Sequence, residues 1–261
     1  MTDSQENALE VALRLAATEP ASRPEFYKTL LEASVYVLGY SDGGADGSKT
    51  LAAGDKVSIE NWQRSDGSPI IPFFSSLDAL QRAITQEMRY MAVPARTLLE
   101  MTKGAALVLN PKSDYGKEFY PEEIEALLTS GVNRVAEQRI TQTPTQVLLG
   151  QPASYPTQMV QSLKTLLAKH DNVNAAYLAL MHDPSHDEKA HLVVGIDVEG
   201  DFETVMREAG VVAADSARDG ESVDLVRVKR GDGGLSDHLV RDVKPFYERG
   251  IAGKLRSFFG M

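Results

Sequence analysis

The 261-residue chain contains no cysteine. Disulfides, a thiol nucleophile, cysteine-ligated zinc fingers and iron–sulfur clusters are therefore excluded. Long apolar runs are missing too. Purely apolar stretches reach only several residues, as at Ala105 to Leu109, against the roughly 20 that a membrane-spanning helix requires. Integral membrane association is not expected. The opening MTDSQENALE is polar and acidic, so no signal peptide is expected and a cytoplasmic location is. Positive charge is the minority sign, with 27 basic against 37 acidic side chains and a net charge of −10. That balance argues against a general nucleic-acid binder. No GxSxG, HExxH or GxGxxG pattern is present, which lowers the expectation of an enzyme and names no catalytic residue.

What is present is the composition of a folded protein. Apolar residues make up 43% and charged residues 25%, enough to bury a sizeable core in one large or two ordinary domains. A first helix is predicted over Thr2 to Ala17, with Thr2 and Gln5 at capping-box spacing. Ser22-Arg23-Pro24-Glu25 starts a second, over 23–31. Strands follow at Val35 to Leu38, Val57 to Trp62 and Ile70 to Phe74, with turn chemistry at Ser41 to Ser48 and Ser65 to Ser68. They predict an antiparallel meander.

The pattern then alternates. Ser75 or Ser76 caps a helix from Leu77, Tyr90 to Val93 is a strand, and Pro94 opens a helix through Met101. A buried strand, Ala105 to Leu109, ends at Asn110-Pro111, and Tyr120-Pro121 starts a helix through Leu128. The polar TQTPT at 141–145 has no apolar period and predicts a boundary, giving domains 1–142 and 143–261. The second domain reads β-α-β-β-α-β: Val147 to Leu149, Pro156 to Ala168, Asn174 to Met181, His191 to Val198, Phe202 to Ala209 and Val223 to Lys229. A last helix is predicted over Asp237 to Tyr247. The expected class is α+β, with a mixed-sheet first domain and a ferredoxin-like second domain.

Few residues point to chemistry. His182, His186 and His191 stand in HDPSHDEKAH, but the spacing between predicted strands is that of a polar hairpin loop rather than a metal site. No metal or cofactor is expected. Gly43 to Thr50 lacks the Gly-Lys step of a phosphate loop and reads as a turn. Gly150, Gln151 and Ser154 follow the first strand of the second domain, where backbone amides can hold a carboxylate or phosphate. The same stretch also reads as a plain strand-to-helix connection. In the tail, Ile251, Leu255, Phe258 and Phe259 recur at helical spacing among Arg249, Lys254 and Arg256. Two readings of Phe258 and Phe259 stand, a surface for a partner or a helix docked on its own domain.

Several stretches together resemble the SseB family, bacterial proteins named for enhanced serine sensitivity. They are IPFFSSLDALQRAI (71–84), PARTLLEM (94–101), ALVLNPKSDYGKEFYPEEIEALL (106–128), VLLGQPASYPTQMVQSLKTLL (147–167) and KPFYERG (244–250). The resemblance implies two domains in this order and carries over no catalytic residue, cofactor or substrate. The expectation is a non-enzymatic binding or regulatory protein acting on a protein partner, with an amino-acid-like or anionic ligand of the second domain as the alternative and an enzyme with a novel active site ranked last. Homo-oligomers are compatible with this reading.

Overall fold

The computed structural model describes residues 6–41, 57–133, 147–184, 189–217 and 222–250. The protein is α+β and divides into two units, Met1–Thr18 with Ser22–Arg134, and Glu19–Ala21 with Val135–Met261. Among the described residues no helix is long and apolar enough to cross a membrane.

The first unit begins with α1 (Ala8–Thr18) and α2 (Arg23–Glu32). Helix α1 starts later than Thr2. Asn7 Oδ1 accepts from the Glu10 amide and Glu10 Oε2 accepts from the Asn7 amide, each at 3.0 Å. This reciprocal pair satisfies two amides that a helix start leaves over. The capping box is thus Asn7 with Glu10, while Thr2 and Gln5 lie outside the described residues. The strands are β1 (Ser34–Ser41), β2 (Val57–Ile59), β3 (Trp62–Gln63), β4 (Pro69–Phe74), β5 (Tyr90–Pro94), β6 (Leu107–Leu109) and β7 (Lys117–Phe119). Helices α3 (Leu77–Ala83), α4 (Ala95–Met101) and α5 (Pro121–Ser130) separate or follow them.

The sheet runs β2-β1-β4-β6-β7, with β5 on β1 and β3 on β4. β4 and β6 are parallel and the other pairs antiparallel, so the sheet is mixed. The predicted strand 57–62 is two short pieces pairing with different neighbours, β2 with β1 and β3 with β4. β7 was not among the predicted strands. Its Lys-Glu-Phe has one apolar residue, and only Phe119 faces the core.

Adjacent phenylalanines in β4 serve opposite faces, as period-two alternation requires. Phe73 lies 5.9 Å, ring to ring, from Phe119, which also stacks on Phe26 of α2. Phe74 packs with Leu38, Ala79 and Leu80, and Trp62 meets it edge-on. The aromatics of IPFFSS are core on both faces of the sheet, not a recognition surface.

The second unit holds β8 (Leu148–Gly150), α6 (Thr157–Leu167), β9 (Val173–His182), β10 (His191–Val198), α7 (Phe202–Ser216), β11 (Val223–Val228), α8 (Gly234–Asp242) and β12 (Tyr247–Glu248). The order β-α-β-β-α-β is present, but the pairing is not ferredoxin-like. In a split βαβ a third strand separates the two parallel strands that a helix joins. Here β10 and β11 are joined by α7 and pair directly in parallel, while β8 and β9, joined by α6, are antiparallel neighbours. The predicted final helix stops at Asp242. Tyr247 and Glu248 instead add a short strand to β9 opposite Ala176 and Ala175. Thus KPFYERG is an edge strand, with Phe246 and Tyr247 packed on the core and the buried Arg249 guanidinium donating to the His170 carbonyl at 2.9 Å.

Two apolar layers sandwich this sheet. Met159, Leu163 and Leu166 of α6 and Val205, Ala209 and Val212 of α7 pack with Ala176, Leu178, Val194 and Ile196. On the other face Leu239 of α8 packs with Ala175, Tyr177 and Val228. A Cβ at Gly195 would stand 2.6 Å from Leu239 and 2.7 Å from Val228, so glycine sets the close approach of α8.

Candidate binding cleft

In the first unit the end of β4, the starts of α1 and α3 and the α2–β1 junction enclose an open cleft of about 580 Å³. The backbone creates it. β4 pairs with β1 only as far as Phe74, opposite Tyr36, and at Ser75 the chain leaves the sheet to start α3.

One wall is a closed hydrogen-bonded knot. Ser75 is 4% exposed and Asn110 3%. Asn110 Oδ1 accepts from the Ser75 amide, and Asn110 Nδ2 donates to Ser75 Oγ, both at 2.8 Å. Ser75 Oγ and Ser76 Oγ in turn donate to Glu10 Oε1 at 2.9 and 2.7 Å. Asn7 Nδ2 donates to the Ser75 carbonyl at 2.9 Å. Ser76 also caps α3, its Oγ accepting from the Ala79 amide at 3.1 Å. Asn110 holds φ of 50°, a left-handed conformation that asparagine tolerates better than most residues. Its amide donates to the Phe73 carbonyl, tying the end of β6 to the same turn.

Glu10 is the charged centre of the knot. Burial pushes its carboxyl up, but hydrogen bonds from the Asn7 amide, Ser76 and Ser75, with the Arg82 charge, outweigh that and hold it below its ordinary value. A serine hydroxyl beside a carboxylate can suggest nucleophile and base. A carboxylate held ionised by three donors is a weak base, so this arrangement builds structure rather than activating Ser75 or Ser76. A carboxyl with a depressed value contributes stability that is complete above its unfolded value, near 4.3, and is lost as pH falls through the folded value. Glu10→Gln is expected to cost about 1–2 kcal/mol at neutral pH. Urea unfolding should show the gap to the parent shrinking below about pH 4. A gap constant from neutral to acid would contradict an ionised Glu10.

The other wall is chemically open. Thr29, Glu32, Ser34 and Tyr36 line it. Among the described residues their side-chain oxygens make no hydrogen bond or ion pair. The Tyr36 ring meets Tyr90 edge-on at 6.1 Å, which fixes its position on β1. Apolar contact comes from Leu9 and Leu77.

The residues picked out from sequence lie elsewhere. Gly150 ends β8 opposite Leu180, Gln151 and Ser154 sit on the exposed connection to α6, and none lines the cleft. A Cβ at Gly150 would meet nothing within 4 Å. Phe258 and Phe259 fall outside the described residues, as do the turn at 43–50 and His186. His182 ends β9. His191 begins β10, with Nε2 3.0 Å from Asp224 Oδ2 on β11. Among the described residues no three carboxylate or imidazole groups gather as metal ligands. Sequence reasoning missed the knot because Ser75 and Asn110 served as local signals, a helix start and a strand end. The available hint was a Ser-Ser pair directly after a core phenylalanine pair.

Comparison with known proteins matches residues 9–126 to the SseB protein N-terminal domain and 141–249 to the SseB protein C-terminal domain. The chain is 38% identical over 252 residues to Protein SseB of Escherichia coli K12, covering 97% of this chain and 96% of the relative. Protein SseB of Shigella flexneri gives the same figures. No solved structure matches.

Proposed function

Since the chain belongs to the SseB family, we propose that it is a non-enzymatic cytoplasmic regulator that works by binding a protein partner through the cleft of its first unit. The carrying observation is the contrast between the two walls. The serine–carboxylate group is consumed in holding the cleft's shape, while among the described residues Thr29, Glu32, Ser34 and Tyr36 keep their hydrogen-bonding capacity free beside apolar Leu9 and Leu77. A rigid scaffold presenting a few convergent polar groups and an aromatic ring suits recognition. We propose the domain boundary at residues 142–143; family matches that end at 126 and resume at 141 favour a boundary in this region.

The test is affinity capture by the tagged full chain from extracts of its own cells, followed by mass spectrometry. The parent and Gly150→Val are expected to retain the same stoichiometric partner, since a side chain at Gly150 enters open space. Glu32→Lys, with unchanged circular dichroism, is expected to lose it. Loss with Gly150→Val and retention with Glu32→Lys would move the site to the second unit and overturn the reading.

A further inference from the structure

We infer that the cleft receives the ammonium group of a lysine side chain from the partner. This rests on the reading of the cleft as a protein-contact site and specifies its chemistry. Among the described residues, the open wall offers three hydroxyls and one carboxylate without a hydrogen-bond partner, on Thr29, Ser34, Tyr36 and Glu32. An ammonium group carries three donors and no acceptor, so each of its N–H bonds can meet an oxygen of this set. A carboxylate ligand would instead face two lining carboxylates, Glu32 and Asp78. The Tyr36 ring offers a π-face for the cation, held by Tyr90. Leu9 and Leu77 suit the aliphatic stem, since lysine packs its methylenes on apolar surface while the head stays polar.

The field of the whole chain points the same way. A net charge of −10 raises the local concentration of cationic partners and speeds their encounter. Arginine fits less well. Its planar fork holds the donors in one rigid plane, whereas Thr29, Ser34 and Tyr36 come from three separate backbone positions, with Glu32 and Asp78 both lining the cleft.

Amide spectra of the isotope-labelled full chain test this at physiological salt. The probes are acetyl-Gly-Lys-Gly-amide, the same peptide with Nε-acetyllysine, and butylammonium. The lysine peptide is expected to shift amides at 29–36 and 75–78 saturably, and the acetylated peptide to leave them in place. Glu32→Gln should weaken the lysine peptide at least tenfold, while Glu100→Gln, an exposed acid on α4, should not. Equal shifts with the acetylated peptide, or none with either, would overturn the ammonium assignment. Cleft-dependent capture of a partner would still stand in that case. Tighter binding of butylammonium than of the peptide would overturn the partner lysine in favour of a free amine.

Discussion

Asn110→Ala is expected to destabilise the first unit by about 3 kcal/mol, roughly 10 °C in melting temperature. Two hydrogen bonds of about 1 kcal/mol each disappear, and the buried Ser75 amide loses its acceptor. Alanine also tolerates the φ of 50° less well than asparagine. Asn110→Gly separates these causes. It removes the same hydrogen bonds but accepts the backbone angle, so it should recover only part of the loss. Urea unfolding of the three proteins gives the comparison. If Asn110→Ala falls within about 0.5 kcal/mol of the parent, as an ordinary surface change would, Asn110 does not hold the cleft together.

Phe73→Ala is expected to be larger, about 4 kcal/mol. Phe73 is fully buried and its ring meets Phe119, which in turn stacks on Phe26. Truncation leaves a cavity between the sheet and α2 that rigid neighbours fill only partly. Phe73→Leu should recover more than half of the loss, because it restores most of the volume. Phe74→Ala should cost a similar amount on the opposite face, where Trp62, Leu38 and Leu80 surround the ring. Wild-type stability for either alanine variant would place these rings at the surface rather than in the core.

These two positions mark how much was legible in the sequence. Element types were read from apolar periodicity and turn residues, which are local. The strands of β1, β4, β9, β10 and β11 and the helices α2 through α6 stand near where periodicity put them, whereas α7 runs past the expected Ala209 to Ser216. Pairing was not legible, because strand order depends on contacts between distant residues. The parallel neighbours β10 and β11 are consistent with the same β-α-β-β-α-β string as a split arrangement. Lys117 to Phe119 was missed because it carries a single apolar residue, and Tyr247 to Glu248 because Tyr247 was read as the end of the last helix. Glu10, Ser75 and Asn110 belong to three separate segments, and each has an adequate local explanation as a helix-start or strand-end residue. Only the fold brings them to hydrogen-bonding distance, and with them the open wall of Thr29, Glu32, Ser34 and Tyr36.

Amide hydrogen exchange of the full chain, with and without its captured partner, tests the central claim most directly. Bound partner is expected to slow exchange at 29–36 and 75–78, the segments that wall the cleft, and to leave 150–155 unchanged. Slowed exchange at 150–155 with none at the cleft would contradict the account and place recognition on the second unit.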